Sequence, residues 1–211
     1  MNNSRLPPLF VAESRALDFL NTRAVPVDEE VEWIATGRDL LDWMVAAELI
    51  DDQEVAEVRK IANPGELDAI AAQARALREW FRDFVAQHRG KPLTSEALAE
   101  LEPLNRLLSR DQEFSQIVPR TGADGHTVEG LEFVSLRQWR SPEALLFPIA
   151  KALADLVTRA NFTYVKQCEG PTCMIHFLDT TRDRRRRWCS MAVCGNRAKQ
   201  AALRNRRTAN T

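Results

Sequence analysis

Apolar residues recur every three or four positions between residues 36 and 110, which is the spacing of amphipathic helices. Thr36 can cap the first predicted helix, and Asp51 precedes a second, shorter one. The clearest helix follows Asn63-Pro64-Gly65. Its apolar face consists of Leu67, Ile70, Ala74, Leu77, Phe81, Phe84 and Val85. A last helical stretch follows, which Pro103 is expected to kink or divide.

The pattern differs on both sides of this helical region. Ser14 can cap a helix that contains residues 17–22, and Ser141-Pro142 has the chemistry of a helix start. Pro148 should disturb that second helix locally. Short apolar or alternating runs predict extended segments or strands at residues 9–12, 114–118, 128–136, 163–165 and 176–178.

These elements predict an α+β fold in two parts. Residues 1–160 form a mostly helical N-terminal domain with a small antiparallel sheet, and residues 161–211 form a small appended module. Charge is divided in the same way, because residues 161–211 contain 11 Lys and Arg against 3 Asp and Glu, whereas residues 1–160 contain 18 against 27. The C-terminal module should therefore attract polyanions, which the acidic first domain would not do.

Composition excludes a membrane span, because no run approaches the roughly 18–20 apolar residues that a spanning helix needs. The first residues lack the continuous apolar run of a secretory signal, so we expect a cytoplasmic protein. The glycines form neither a phosphate-binding loop nor a dinucleotide fingerprint, and no catalytic constellation is visible. His88 and His126 are isolated and are expected to face solvent. We therefore expect no enzymatic activity.

All four cysteines lie in the basic module, as two C-x4-C pairs: Cys168 with Cys173, and Cys189 with Cys194. Two short loops that each supply a cysteine pair suit tetrahedral zinc, and reduced cytosolic thiols favour metal over disulfides. Four protein ligands leave no position for a substrate water, so the predicted Zn²⁺ is structural. Four unconnected buried thiols and a redox pair are the alternatives.

Two neighbouring features bear on this site. His176 lies three residues after Cys173 and could replace a cysteine as ligand, although it also fits the strand predicted there. Cys194 precedes a predicted helix, whose N-terminal N–H groups would favour a thiolate.

The spacing and the residues around the cysteines resemble the CGNR zinc-finger family. The resemblance rests on the cysteines, on Arg186-Arg187-Trp188-Cys189 and on Cys194-Gly195-Asn196-Arg197. Residues 17–22, Leu-Asp-Phe-Leu-Asn-Thr, resemble the opening of the ABATE domain that precedes this finger. The resemblance implies a bacterial, stress-related transcription regulator, and it implies that all four cysteines bind the metal.

Basic residues flank the proposed ligands and are candidates for phosphate contacts, since phosphate contacts dominate nucleic-acid affinity. The candidates are Arg184, Arg185, Arg186, Arg187, Arg197, Lys199, Arg204 and Arg207. Successive arginines cannot all face one groove, so some should instead pair with Asp179, Asp183 or the acidic first domain. Trp188 is expected to pack, with base stacking as the alternative.

Asp18, Asn21 and Thr22 form a polar cluster inside an apolar segment. They could form one wall of a small-ligand pocket, or they could cap the helix and hydrogen-bond within the core. The sequence therefore predicts a regulator in which the module binds DNA, with RNA as the alternative, and the first domain senses a ligand or partner. The alternatives are a protein-interaction module with an acidic partner and a small-molecule-binding protein. The operator sequence and oligomeric state are left open.

Overall fold

The computed structural model describes residues 6–25, 29–122 and 127–201. The six α-helices of these residues are α1 (Arg15–Leu20), α2 (Gly37–Ala46), α3 (Asp52–Ile61), α4 (Glu66–His88), α5 (Glu102–Leu108) and α6 (Leu146–Arg159). The strands are β1 (Arg23–Ala24), β2 (Val31–Glu32), β3 (Glu113–Thr121), β4 (Val128–Arg137), β5 (Val165–Gln167) and β6 (His176–Leu178). They pair as three antiparallel two-stranded sheets, β1–β2, β3–β4 and β5–β6. The predicted α+β class is confirmed.

Two helices begin with reciprocal capping boxes. The Thr36 hydroxyl accepts the Asp39 N–H while the Asp39 carboxylate accepts the Thr36 N–H. Asp51 and Glu54 repeat the arrangement at the start of α3. Each box satisfies two N–H groups that have no partner within the helix. The starts predicted at both positions are confirmed.

Prolines shape two of the predicted helices, and the division expected for the stretch with Pro103 is confirmed. The stretch after residue 94 divides into a 3₁₀ turn, Ser95–Leu98, and α5, in whose first turn Pro103 lies. Pro142 likewise begins a 3₁₀ turn that precedes α6, and Pro148 occupies the first turn of α6 without interrupting it. Proline is tolerated there because the first N–H groups of a helix have no internal partner.

Some of the predicted extended segments also differ from the structure. Residues 9–12 form no strand, and within them Phe10 is exposed while Ala12 is buried. Residues 162–164 form a 3₁₀ turn, and the strand begins only at Val165. Short apolar runs of this kind have no distinct period, so periodicity alone could not separate them from strands.

The core lies between α1, α2, α4 and α6 and extends without a break into the cysteine module. The N-terminus of α2 lies directly on α4, because a Cβ at Gly37 would come within 2.4 Å of the Leu67 Cβ. Phe177 of β6 and Cys168 belong to the same buried cluster as Leu17 of α1. The module therefore shares a core with the first domain.

A charged network also crosses this core. Arg78 projects from α4 and is only 2% exposed. Its guanidinium donates to both carboxylate oxygens of Glu32, at 2.8 and 2.6 Å, and to the Thr22 hydroxyl at 2.9 Å. The Thr22 hydroxyl in turn donates to the Phe19 carbonyl near the end of α1. Arg78 therefore connects α1, β2 and α4.

We predict that Arg78→Ala destabilises the protein by about 3 kcal/mol or more, because it leaves the partly buried Glu32 carboxylate without its cation. Chemical denaturation of the zinc-loaded protein measures this change. Arg38→Ala is the control, since the Arg38 side chain is 85% exposed and the loss there should stay below about 0.5 kcal/mol. Equal effects of the two substitutions would contradict the assignment.

Candidate metal centre and basic surface

The first cysteine pair lies in the turn that joins β5 to β6. Cys168 follows the last residue of β5, and its N–H donates to the Ile175 carbonyl across the turn at 2.9 Å. The Cys173 N–H donates to the Gly170 carbonyl at 3.0 Å, which folds the turn into a tight knuckle. Both thiols therefore point toward the same side of the knuckle.

The second pair lies in a loop and a helical turn. Cys189 precedes a single π-helical turn, Met191–Gly195, that contains Cys194, and the backbone remains helical from 196 to 201. Cys194 thus lies within the first helical turn rather than before the helix. The Cys189 N–H donates to the Cys168 sulfur at 3.3 Å, and the Glu169 N–H donates to the Arg187 carbonyl at 3.0 Å. These bonds hold the two loops together.

The four sulfur atoms all lie within 4.8 Å of one another. The Cys189 sulfur is 3.8 Å from that of Cys173 and 3.6 Å from that of Cys194. A tetrahedron with Zn–S bonds of about 2.3 Å has S···S edges of about 3.8 Å. The sulfurs are therefore spaced as a tetrahedral zinc ion requires.

Gly170 provides the room for this arrangement. A Cβ at this position would lie 2.9 Å from the Cys173 Cβ and 3.2 Å from the Cys194 sulfur. No side chain fits there unless the sulfurs move apart. The knuckle therefore requires glycine for reasons of space.

The protonation of the cluster also favours a dication. Hydrogen bonds from Cys173 and Cys189 lower the pKa of Cys168 to about 2, whereas the bond to Cys168 raises the pKa of Cys173 to about 12. Hydrogen bonds to Cys168 and Cys173 raise the pKa of the Cys189 thiol. The hydrogen bonds among these thiols thus favour a thiolate at Cys168, and a bound divalent metal would favour the thiolate form of its other ligands.

His176 does not join the cysteine cluster. Its ring is buried and both ring nitrogens lack a hydrogen-bond partner among the described residues. Burial, with the charges of Arg82 and Arg89, lowers the pKa of His176 to about 4. The imidazole is therefore neutral at physiological pH and is part of the contact between the module and the first domain.

Asp179 organises the arginine-rich loop that joins the two cysteine pairs. Its buried carboxylate accepts from the Lys166 ammonium at 2.7 Å, from the Thr181 N–H and hydroxyl, and from the Arg186 N–H at 2.9 Å. Burial by itself would raise the pKa of Asp179, but these donors lower it to about 2. The carboxylate forms an ion pair with Lys166, and Arg186 contacts it through its backbone N–H rather than its guanidinium.

Arg186, one of the predicted nucleic-acid contacts, is half-buried and makes most of its contacts within the protein. Its guanidinium donates to the carbonyls of Trp188, Cys189 and Val11, at 3.0, 2.6 and 2.8 Å. It also lies 4.3 Å from the centre of the Phe177 ring. Arg186 therefore ties the N-terminal segment to the metal loop through Nε and Nη2, while Nη1 faces the Glu13 carboxylate at 3.8 Å.

The other basic residues that were predicted to contact nucleic acid fall into three groups. Arg184 donates to the Asp179 carbonyl and lies over Tyr164, and Arg187 forms an exposed ion pair with Glu169. Arg185, Arg197 and Lys199 are exposed and form no ion pair among the residues that the structure describes. Arg204 and Arg207 lie outside the described residues. Arg182, which sequence reasoning omitted, is likewise exposed and belongs with the second group.

Trp188 is half-buried and packs against the core, as expected. The Arg187 guanidinium lies 5.2 Å from the centre of the indole. Beside it is an open groove of about 650 Å³, lined in part by Phe10, Arg185 and Met191. One edge of the indole thus remains next to the basic surface.

Asp18 of α1 and the two residues that follow this helix, Asn21 and Thr22, form hydrogen bonds within the protein. The Asn21 amide donates to the His176 carbonyl at 2.8 Å and accepts the His176 N–H at 2.9 Å, so it joins the first domain to β6. Asp18 accepts the Ala12 N–H, and Thr22 binds Arg78. All three residues thus hydrogen-bond within the core, and Asp18 also lines an open pocket of about 290 Å³ together with Phe10 and Arg15.

Comparison with protein-family models gives two adjacent matches. Residues 13–160 match the ABATE family, described as "Putative stress-induced transcription regulator", and residues 164–207 match the CGNR zinc finger. No curated protein matches the chain. No helix among the described residues is long and apolar enough to cross a membrane. The finger model covers all four cysteines, so the centre is a structural zinc site.

We predict that Gly170→Ala lowers zinc affinity by at least ten-fold, because the added methyl group pushes Cys173 and Cys194 apart. Competition with a chromogenic chelator measures the affinity. Gly65→Ala is the matched control: its φ of +81° makes the substitution costly by about 1 kcal/mol, but no atom lies within 4 Å of the new methyl group. Zinc binding in that variant should be unchanged. Normal zinc affinity in Gly170→Ala would refute the packing argument.

A second prediction concerns Asp18, whose pKa is raised to about 6 by burial. A carboxyl with a raised pKa stabilises the fold while it is protonated, and this contribution is lost as the pH rises from about 4 through 6. Asp18→Asn keeps an oxygen for the Ala12 N–H and removes the titration. Its stability relative to the unsubstituted protein should increase by about 1 kcal/mol between pH 5 and 8. A pH-independent difference in denaturation midpoints would contradict this.

Proposed function

Because the chain belongs to the ABATE family and carries a CGNR zinc finger, we propose that it is a cytoplasmic transcription regulator whose finger binds DNA. The ABATE domain would control this binding in response to a ligand or partner. The family description supports the regulatory role. The exposed cations around the zinc site support the assignment of the finger as the DNA-binding part.

The observation that carries the proposal is the placement of these cations on both sides of the cysteine cluster. Arg182 and Arg185 lie in the loop before Cys189, and Arg197 and Lys199 lie on the helical segment after Cys194. Each is exposed and has no ion pair among the described residues. Exposed cations without internal partners suit phosphate contacts, because no internal pair must be broken first.

The inner cations of the module bear on the charge of this surface, because they lie between it and the negatively charged metal site. Four thiolates on Zn²⁺ carry a net charge of −2, and Arg186 and Lys166 lie within the same loop system. Lys166 is already paired with Asp179, whereas the half-buried Arg186 guanidinium lies against the Cys189 carbonyl and offsets part of the site's charge. This division supports DNA binding by the outer residues.

Control by the ABATE domain would act through the contact between the two parts. The Leu178 N–H donates to the Ala12 carbonyl, Arg186 donates to Val11, and Asn21 pairs with His176. A shift of the N-terminal segment or of α1 would therefore move β6 and the basic loop with it. We propose no catalytic role, since a four-cysteine zinc site has no open position for a substrate.

An acidic protein partner is the second candidate for the basic surface. The ion pair between Arg187 and Glu169 shows that this loop already accommodates a carboxylate, at 2.6 Å. Competition separates the two candidates: an excess of an acidic peptide should not displace duplex DNA if DNA is the partner of the finger.

We predict that Arg185→Gln combined with Arg197→Gln weakens binding to a random pool of duplex DNA. The log–log dependence of affinity on salt should become shallower by roughly 2, because two phosphate contacts are lost. Fluorescence anisotropy at several salt concentrations measures the slope. Arg38→Gln removes an exposed arginine from α2, away from the finger, and should change neither slope nor affinity.

Two results would reject DNA binding by the finger. One is the absence of binding at low salt, and the other is an affinity that does not depend on salt. A parallel titration with duplex and single-stranded RNA shows whether RNA is bound more tightly. Zinc content and denaturation midpoint, measured on each variant, establish that the fold is retained.

A further inference from the structure

The β3–β4 hairpin exposes more apolar surface than any other element of the described residues. Six of the exposed large apolar side chains belong to it: Phe114, Ile117, Val128, Leu131, Phe133 and Leu136. Four of them are 63–75% exposed, namely Ile117, Val128, Leu131 and Phe133. Single exposed apolar residues are ordinary, but a contiguous group marks an interaction site.

The strand register places these four side chains on one face. Ile117 pairs with Phe133 and Pro119 pairs with Leu131, and directly opposed residues of an antiparallel pair share a face. Past the irregularity between Arg120 and Thr121, Thr121 pairs with Val128 on the same side. We call Ile117, Pro119, Val128, Leu131 and Phe133 the hairpin face.

The hairpin is held to the body of the protein near one end. There Arg137 donates to both carboxylate oxygens of Asp111, at 2.7 and 2.8 Å, and Lys151 binds Glu113 at 2.7 Å. Farther along the strands, the hairpin face is not covered by any described residue, as its exposure shows. The anchored end fixes the orientation of the face and leaves it open to a partner.

We propose that the hairpin face binds the same face of a second copy of this chain across a two-fold axis. The four pairs on this face, Ser115–Ser135, Ile117–Phe133, Pro119–Leu131 and Thr121–Val128, contain no charged residue. Glu132 and Arg120 belong to the alternate pairs, whose side chains lie on the opposite face, and Glu129 is left unpaired at the irregularity. An uncharged face can meet an identical one without like-charge repulsion, whereas it offers nothing to a polyanion or to a charged peptide. Closed two-fold contacts between identical patches are the commonest form of oligomer.

The size of the face agrees with this partner. Four large apolar side chains exposed to this degree present on the order of 500 Å², at the upper end for an isolated monomer. Two such faces bury on the order of 1,000 Å² of apolar surface, and with the polar rim they reach the roughly 1,200 Å² of a stable interface. Addition of a strand at the β3 edge is disfavoured, because Pro119 supplies no N–H there.

The test is the mass of the zinc-loaded full chain by sedimentation at a series of protein concentrations. We expect a species of twice the chain mass of 24.0 kDa. Leu131→Glu with Phe133→Glu should raise the dimer dissociation constant at least 100-fold and give a monomer at concentrations where the unsubstituted chain is dimeric. Both side chains are exposed, so circular dichroism, zinc content and denaturation midpoint should be unchanged.

The matched control is Leu98→Glu, which places the same charge on an apolar residue that is 60% exposed and lies outside the hairpin. This variant should remain dimeric, as should the Arg185→Gln and Arg197→Gln double variant. A chain that is monomeric at every concentration overturns the proposal. So does a dimer that persists in the Leu131→Glu and Phe133→Glu variant, since its interface would then lie elsewhere.

Discussion

The pairing of the Asn21 amide with the backbone of His176 is the contact on which the arrangement of this molecule depends. The amide offers one donor and one acceptor, and His176 answers with its carbonyl and its N–H. These are the groups that a neighbouring strand would use, so the side chain of Asn21, the residue that follows α1, takes the place of a third strand beside β6. The geometry fixes both the distance and the angle between the helix and the sheet of the finger.

This contact holds β6, and β6 connects to the other parts of the metal module. β6 supplies Phe177 to the common core and leads directly to Asp179, whose carboxylate shapes the arginine-rich loop. The loop in turn places the Arg186 guanidinium on the Val11 and Cys189 carbonyls. The zinc site is thus connected to the first domain by polar bonds in a buried setting, where an unmatched donor or acceptor would be costly. The contact between the zinc module and the first domain therefore tolerates few alternative geometries.

The sequence predicts the parts of this structure that depend on local chemistry. Capping residues and a three-to-four-residue period indicate the helices from α2 to α4, and cysteine spacing indicates the zinc site. The sequence does not reveal that Arg78 pairs with Glu32, since the two residues are 46 positions apart and only the fold brings them together. The division of the arginine run was likewise not predictable in detail. Neighbouring arginines look alike in sequence, yet the loop turns Arg186 inward and Arg185 outward. A charged residue on the apolar face of α4 was the one available signal for the Arg78 network.

The contact between the N-terminal segment and the finger has a consequence for the order of folding during synthesis. Val11 and Ala12 accept hydrogen bonds from Arg186 and Leu178, which the ribosome adds more than 150 residues later. Helices α2 to α4 can pack as soon as they emerge, because their partners are near in sequence. The segment before α1 must wait for the last part of the module. The earliest residues of the described chain are therefore among the last to reach their final places, and they do so when the metal loop closes.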